Sequence, residues 1–305
     1  MSLKSTISGF LKKCLPLRYY KLIANGCIVV PAYYRNIIRE EEACMNLAAE
    51  NSLEKDLLLL RKYAHIIDKG LHRKDVTPGH SKSIYNALCE TASRLKDSKY
   101  ADDPTYLWAL DKINAYERLQ ESSGSFTPLE ATAPTPSVSY EELFSLIRQR
   151  RSNRDFKQLN VEDSTIEQLI DTANWASSSC NKQPIEIFYT TNPDKAAQCL
   201  RCCKGGTGFS RFVPAFVVFT ANIRGYVYPG EMSLPYVDTS LGAQNFFLAA
   251  TTLGLSGTIL SWAQKNRQEE EDLRRLLDIP SDCKIIFCAA IGYANTQFCT
   301  PARKR

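Results

Sequence analysis

The sequence predicts a protein in two parts: a helical N-terminal region, and a larger domain in which helices cover both faces of a central sheet. Residues 1 to about 122 carry apolar residues at helical spacing, as in the segment EEEACMNLAAENSLEKDLLLLRKYAHIIDKG. From Tyr140 onward, helical segments alternate with short runs rich in Ile, Val, Phe and Tyr. This order of elements predicts a sheet packed between layers of helices.

Three segments of the N-terminal part are predicted to be helices. The first ends at Gly70, because glycine commonly follows a last helical turn. The others cover Lys82 to Arg94 and Pro104 to Gln120. The following segment, ESSGSFTPLEATAPTPSVS, is rich in Ser, Thr, Pro and Gly and is typical of a linker. The predicted division is a helical extension over 1–122, a linker over 123–139 and a domain over 140–305.

Four apolar runs of the second part are predicted strands. They are IEIFYT, FVVFT, GTILSW and KIIFCAAIGYA, all rich in β-branched or aromatic residues. Glu141 to Arg150 is predicted to be a helix. Ser164 and Glu167 have the spacing of a capping box, which predicts the start of the next helix, running to about Ala176.

The segment from Tyr236 to Ala263 is the one around which the second part is organised. From Leu241 to Leu253 its residues are apolar or small on every side, which predicts a helix buried all round. Small residues such as Gly242 would let another backbone approach closely, including that of a second subunit. A plain core helix fits the pattern too, because periodicity reports burial and not chemistry. Gly254 is predicted to end the helix.

Charge is distributed unevenly along the 305 residues. The formal net charge is +5, but residues 1–39 hold seven Lys or Arg and no acid, which leaves −2 for the rest by subtraction. Nothing after residue 39 resembles a basic face with interleaved aromatics, which argues against a nucleic-acid partner. The basic N-terminus could rest on an anionic membrane or a protein partner, or form a helix packed on its own domain.

Cysteine usage indicates a reducing compartment. The eleven cysteines are odd in number and irregular in spacing, which disfavours a disulfide framework and predicts a cytoplasmic protein. The CLRCC cluster, which holds Cys199, Cys202 and Cys203, lacks a second Cys or His pair at short spacing, so no metal site is expected. No apolar run reaches the roughly 18 residues needed to span a membrane.

Two polar stretches and the tail are candidates for binding. RQRRSNRDF, residues 148–156, places four arginines and a serine together, and guanidinium groups bond phosphate oxygens in pairs. A solvated basic face at a helix C-terminus is the alternative. SSSCNKQP, residues 177–184, offers hydroxyl and amide groups to a polar ligand, although such loops often bind nothing. The tail carries Arg303, Lys304 and Arg305 after the last predicted strand.

Taken in order, these motifs resemble the nitroreductase family of FMN-dependent flavoproteins over about residues 140–305. The matching features are the RRSxRxF-like residues 150–156, the SxxNxQP-like residues 178–184, the run from Asp238 to Leu255, and IGYA followed by Pro301 and Arg303. The resemblance implies an α+β fold: a three-layer sandwich with a mostly antiparallel sheet flanked by helices. It also implies a homodimer formed through the helix at Leu241 to Leu253, with FMN at the subunit interface.

The resemblance also implies a set of cofactor-binding residues. Those expected to meet the phosphate, ribityl chain and pyrimidine edge of FMN are Arg150, Arg151, Ser152 and Arg154. Those expected beside the ribityl chain and ring are Ser178, Asn181 and Gln183. Leu260, Ser261 and Trp262 match the strand end whose backbone passes the reactive side of the flavin. Arg303 and Arg305 would close on the phosphate. No catalytic side chain is expected, because the flavin carries the chemistry.

The function that follows is an FMN-dependent oxidoreductase passing hydride from NADH or NADPH to a small planar acceptor of the quinone or nitroaromatic type. One alternative keeps the flavin but oxidises or dehalogenates a biosynthetic intermediate. Another is a flavin-binding scaffold of low turnover that docks through its basic N-terminus. The helical extension, including YAHIIDKGLHRKD, lies outside the core of the resemblance.

Overall fold

The computed structural model describes most of the chain from residue 49 onward. The described residues are 49–121, 135–206, 208–209, 212–231, 233–262, 267–296 and 302–303, together with Pro16, Tyr19, Ile38, Glu42 and 45–47. The predictions for the basic N-terminus lie almost entirely outside these ranges, as does Arg305. Most of the predicted linker over 123–139 lies outside them as well, so the predicted domain division stays a prediction.

The chain divides into two compact units. One consists of Met1–Glu50 and Tyr226–Met232, and within it Pro229–Glu231 forms a single 3-10 turn. The other consists of Asn51–Gly225 and Ser233–Arg305. All elements described below belong to this second unit.

Three helices begin the second unit: α1 (Leu53–Leu71), α2 (Lys82–Leu95) and α3 (Pro104–Glu121). Their apolar faces share one core, which includes Leu60, Leu88 and others of the same kind. The three predicted helices are therefore confirmed, and the C-terminal end of each lies within one residue of the predicted end. The first helix begins at Leu53, with Ser52 as its N-cap, rather than in the acidic segment that starts at Glu40. Among the described residues, no helix combines the length and the apolar composition that crossing a bilayer requires.

Gly70 has a packing role rather than the predicted terminating one. The helix α1 continues through Leu71, and Gly70 is buried in its last turn. A Cβ atom at this position would lie 2.9 Å from Cδ2 of His80, which is closer than real Cβ contacts. Gly70 therefore allows the segment that carries His80 to pack against α1.

One antiparallel sheet forms the centre of the domain. Within the described residues its strands are β1 (Ile185–Thr190), β2 (Ala215–Asn222), β3 (Leu255–Ser261) and β4 (Cys283–Tyr293), in the order β1-β2-β4-β3. Each adjacent pair is antiparallel. The four predicted strands are confirmed, and the last in sequence lies between β2 and β3.

Helices cover both faces of this sheet. Helices α5 (Asp163–Asn174) and α7 (Leu234–Thr252) pack on one face, and α6 (Pro193–Arg201) and α8 (Arg267–Leu277) pack on the other. Alternation along β2 serves both layers: Phe216 and Val218 enter one core, and Val217 and Phe219 enter the other. The predicted three-layer α+β sandwich is confirmed.

The capping box predicted at Ser164 and Glu167 is wrong. Helix α5 begins earlier, after Glu162, and no side chain caps it. Asp163 in its first turn instead accepts a hydrogen bond from the Thr191 hydroxyl at 2.7 Å. A complete capping box joins Ser139 and Glu142 at the start of the preceding helix, α4 (Tyr140–Gln149).

Helix α7 is longer than predicted and is not buried all round. Its inner side is tightly packed, since a Cβ on Gly242 would collide with Cδ1 of Ile185 in β1 and lie 3.0 Å from the carbonyl oxygen of Ala173 in α5. Its other side leaves Tyr236, Val237 and Leu241 exposed by 44%, 49% and 45%. The helix stops where expected, because Gly254 adopts a positive φ of 72°.

Candidate functional site

The arginine-rich segment leaves helix α4 and runs to the end of β4. Arg150 ends the helix with an extended ψ of 121°. Further along, Lys157 N–H donates to the Tyr293 carbonyl at 2.9 Å, and Asn295 N–H donates to the Asp155 carbonyl at 2.9 Å. Phe156 and Ala294 form an isolated antiparallel bridge. The segment is thereby fixed to the chain just before the C-terminal tail.

Asn153 holds the middle of this segment and was not among the predicted site residues. It is 2% exposed, and its amide donates to the Thr296 carbonyl at 3.2 Å while its side-chain oxygen accepts from Asp155 N–H at 2.8 Å. Its own carbonyl accepts from the Thr258 hydroxyl at 2.6 Å. With Asn153 buried, the neighbouring Ser152 and Arg154 are exposed on the segment.

Two other guanidinium groups act on the charge of Arg150. The pKa of Arg150 lies below its ordinary value, first because the group is partly buried and then because Arg151 and Arg303 repel its charge. Arg303 is thus brought from the C-terminal tail to the segment after α4. Positive groups that repel one another at close range favour the binding of an anion such as phosphate, because the anion offsets the repulsion.

Two further arginines of the motif lie near aromatic rings. The guanidinium of Arg148 lies 5.9 Å from the ring centre of Phe144 on its own helix, and Arg148 lines the same cavity as Arg151. The guanidinium of Arg154 lies 6.0 Å from the ring centre of Phe209, whose ring centre is 6.4 Å from that of Phe156. Arg148 and Arg154 therefore have different surroundings.

The SSSCNKQP segment forms a tight loop in an unusual backbone conformation. Cys180, Asn181 and Gln183 have φ of 52°, 54° and 53°, in the left-handed region that favours glycine. Each such residue costs about 1 to 3 kcal/mol, and such costs persist only where surrounding contacts impose the conformation. Backbone strain of this kind is often found at ligand sites.

Contacts on several sides impose this conformation. The Ser178 hydroxyl accepts a hydrogen bond from Gln183 N–H at 3.0 Å, and the Gln183 amide donates to the Asn181 side-chain oxygen at 3.3 Å. Asp238, only 1% exposed on helix α7, accepts from Ser179 N–H at 3.0 Å and from its hydroxyl at 2.8 Å. The role of Asp238 was not predicted, although it begins the helix motif.

The predicted residues at the end of β3 differ in orientation. Leu260 and Trp262 are 2% and 3% exposed and belong to the same core as Phe156. Ser261, between them, is exposed. The two large side chains point into the protein, so a ligand could meet this strand end only through its backbone and Ser261.

The predicted site residues occupy three places in the structure. Arg151 and Arg303 lie close enough to Arg150 for their charges to add to the lowering of its pKa by burial, and Ser152 and Arg154 are exposed on the same segment. Leu260 and Trp262, on either side of the exposed Ser261, share the core of Phe156. Ser178, Asn181 and Gln183 lie in the loop whose Ser179 donates hydrogen bonds to Asp238 of α7. Arg305 lies outside the described residues.

The cysteines of the CLRCC cluster are packed in the protein interior. Cys199, Cys202 and Cys203 are buried in the core on the α6 face of the sheet. Burial raises the pKa of Cys199 to about 12 and also raises the pKa of Cys202. Thiols in such a setting contribute packing rather than reactivity.

The family model of the nitroreductases matches residues 147–218 and 213–293. The chain belongs to the nitroreductase family. The matched stretch contains the arginine segment, the 178–183 loop and all four strands, whereas α1 to α3 precede it. The nitroreductase domain thus carries most of the predicted site.

Named relatives cover about half of the chain. A protein of Archaeoglobus fulgidus named "Putative NADH dehydrogenase/NAD(P)H nitroreductase" is 27% identical over 160 residues, which are 52% of this chain and 88% of that protein. An NADPH-flavin oxidoreductase of Vibrio harveyi is 24% identical over 154 residues, which are 48% of this chain and 62% of that protein.

Solved structures of nitroreductases are similar in part. One named as a nitroreductase of the same description, from Parabacteroides distasonis, has 21% identity and a TM-score of 0.46, over 53% of this chain and 92% of that one. An FMN-dependent nitroreductase of Clostridium difficile has 21% identity and a TM-score of 0.45, over 52% and 91%.

A cavity of about 690 Å³ lies between α4 and the C-terminal end of α7. Of the predicted cofactor residues only Arg151 lines it, with Asn153 and Ser256 among its other lining residues. The cavity of this nitroreductase domain therefore borders the arginine cluster but does not contain the 178–183 loop or the end of β3.

Proposed function

We propose that this protein is an FMN-dependent oxidoreductase that accepts hydride from NADH or NADPH and passes it to a small planar acceptor of the quinone or nitroaromatic type. The observation that carries the proposal is the cluster of Arg150, Arg151 and Arg303, built from two distant segments of the chain. The names of the Archaeoglobus and Vibrio relatives support the nicotinamide and flavin parts of the proposal.

The arginine cluster fits the phosphate of FMN. A phosphate monoester carries nearly two negative charges at neutral pH and offers three acceptor oxygens. Binding it would replace the repulsion that lowers the pKa of Arg150 with attraction, because each guanidinium stays charged and can donate two hydrogen bonds. The cluster would hold the phosphate end of the cofactor.

The remaining predicted residues would orient the other end. Asn181 and Gln183 carry amide groups that can both donate and accept hydrogen bonds, and the strained loop fixes where they lie. The exposed Ser261 and the backbone beside it would border the ring. When bound, FMN supplies the hydride chemistry, so the chain needs to bind, orient and exclude water.

We further propose that two copies of the chain associate through α7. The exposed side chains of Tyr236, Val237 and Leu241 lie on one face of a helix whose other face is packed on the sheet. Nearby, α4 exposes Tyr140, Leu143 and Phe144. Apolar faces of this extent commonly mark protein interfaces. A dimer of this kind fits the nitroreductase resemblance.

Light scattering coupled to gel filtration tests the dimer. The wild-type protein is expected to elute at twice the mass of one chain. Leu241→Arg places charge in the centre of the apolar face and is expected to give a monomer, because a buried unpaired charge is strongly unfavourable. Leu159→Arg is the matched control, since Leu159 is 51% exposed and lies outside both helices. A monomeric wild type would contradict the proposal.

The absorbance spectrum of the purified protein tests the proposed cofactor. We expect the two-banded spectrum of an oxidised flavin, either as isolated or after FMN is added and excess is removed. Anaerobic addition of NADH or NADPH is then expected to bleach the long-wavelength band, and a quinone is expected to restore it.

The possible outcomes separate the alternatives. A protein that stays colourless and takes up no FMN would refute the proposal. A flavin that neither nicotinamide reduces would instead favour the oxidation or dehalogenation of another substrate.

A further inference from the structure

The helical region before the family match contacts the 178–183 loop directly. Helix α1 packs against the turn at Ser179–Asn181. From α1, the Arg61 guanidinium reaches the loop and donates from Nη1 to the Gln183 carbonyl at 3.4 Å. Gln183 is one of the three loop residues in the left-handed conformation. Arg61 therefore acts on the strained part of the loop.

Arg61 is itself held in place by the start of α3. Its Nε donates to the Thr105 hydroxyl at 3.0 Å, and its Nη2 lies 3.5 Å from a carboxylate oxygen of Asp103. The Thr105 hydroxyl and backbone N–H both donate to the other Asp103 oxygen. The Arg61 side chain is only 14% exposed. Because the guanidinium contacts Thr105, Asp103 and Gln183 at once, it links the Gln183 carbonyl to α1 and to the start of α3.

The guanidinium of Arg61 stays protonated and can therefore donate hydrogen bonds. Burial lowers the pKa of the group, and the carboxylates of Asp103 and Glu186 oppose that effect. Arginine remains protonated in such surroundings because its ordinary pKa is very high. The contact to Gln183 is therefore a long hydrogen bond, at 3.4 Å, from a charged donor.

We propose that Arg61 is a positioning residue for the cofactor: it joins the helical extension to the 178–183 loop and holds Gln183 in the conformation that receives FMN. This inference rests on the proposed function, because it takes the loop to border the flavin. It assigns the extension a part in building the cofactor site.

Arg61→Ala compared with Arg94→Ala provides the test. Arg94 makes a two-point ion pair with Asp56 of α1 at 2.9 and 2.8 Å but does not contact the loop. Both variants therefore remove an arginine that is paired with an aspartate in the helical region. FMN affinity is measured by quenching of flavin fluorescence, and the apoprotein is examined by hydrogen–deuterium exchange of the peptide covering residues 178–184.

The expected result is that Arg61→Ala weakens FMN binding about tenfold, the loss that one charge-assisted hydrogen bond implies. It is also expected to speed exchange in the 178–184 peptide, with both quantities unchanged in Arg94→Ala. Arg61→Lys keeps the charge but replaces the guanidinium by a single nitrogen atom, which does not reproduce the hydrogen bonds that Nε and Nη1 make to Thr105 and Gln183. An intermediate affinity for FMN is therefore expected. This variant decides the matter if Arg61→Ala does not fold.

Two outcomes have distinct meanings. If wild-type protein binds FMN and the Arg61 variants bind it equally well, the positioning role is overturned. If wild-type protein binds no FMN, the proposed function fails. In that case, faster hydrogen–deuterium exchange of the loop in Arg61→Ala, but not in Arg94→Ala, would still show that the Arg61 contact to Gln183 holds the loop.

Discussion

Replacing Arg150 and Arg303 together by alanine is expected to weaken FMN binding by about a hundredfold or more. Each substitution removes a guanidinium from the phosphate, and hydrogen bonds to charged groups contribute about 1.5 to 3 kcal/mol each. The unliganded protein should respond in the opposite direction. Arg150 is partly buried and is repelled by Arg151 and Arg303. Removing the charges of Arg150 and Arg303 should therefore leave the thermal stability of the unliganded protein equal or slightly higher.

Isothermal titration with FMN and thermal unfolding of the apoprotein measure the two effects. Arg275→Ala is the control, since Arg275 is a largely exposed arginine of α8 that pairs with Asp272 and does not line the cavity beside the cluster. This variant should bind FMN as the wild type does. Equal losses of affinity in Arg275→Ala and in the double variant would contradict the assignment of the cluster.

Asp238→Ala is expected to lower the free energy of unfolding by about 2 to 4 kcal/mol and to release FMN. The substitution leaves Ser179 N–H and its hydroxyl without their acceptor at a partly buried position, and each unsatisfied buried group costs about 1 to 3 kcal/mol. The loop at 178–183 then loses its contact with α7. Urea unfolding and FMN titration are the measurements.

Asp238→Asn distinguishes loss of the acceptor from loss of side-chain volume. The amide keeps one oxygen in nearly the same place, so Ser179 can retain a hydrogen bond and a smaller destabilisation is expected. An unfolding free energy for Asp238→Ala that equals the wild-type value would show that Asp238 does not support the loop.

The sheet and the long helices could be predicted from the sequence because burial leaves a local pattern. Every residue of β2 is buried, and the corresponding run, FVVFT, is almost entirely apolar. A short apolar run of this kind is typical of a strand that is covered on both faces. The capping box at Ser164 failed for the opposite reason. The same spacing of serine and glutamate occurs at Ser139, and only the Thr191 contact to Asp163 decides where α5 begins.

The candidate site could be predicted only in part. The arginines and the 178–183 loop were found through a family resemblance, because the spacing of the residues alone favoured phosphate only weakly. Arg61 and Asp238 were missed since their partners lie far away in the chain, and helical spacing reports burial rather than hydrogen-bond partners. The left-handed backbone at Cys180 and Gln183 was also missed, because neither residue type favours it.

The place of β4 in the sheet has a consequence for how the chain folds during synthesis. Because β4 separates β2 from β3, neither of those strands can complete its pairing until residues near 290 have left the ribosome. Until then, two apolar strands have open edges of the kind that promote aggregation. Such long-range pairing also slows folding. Newly made chains should therefore depend on chaperones more than the small size of the sheet suggests.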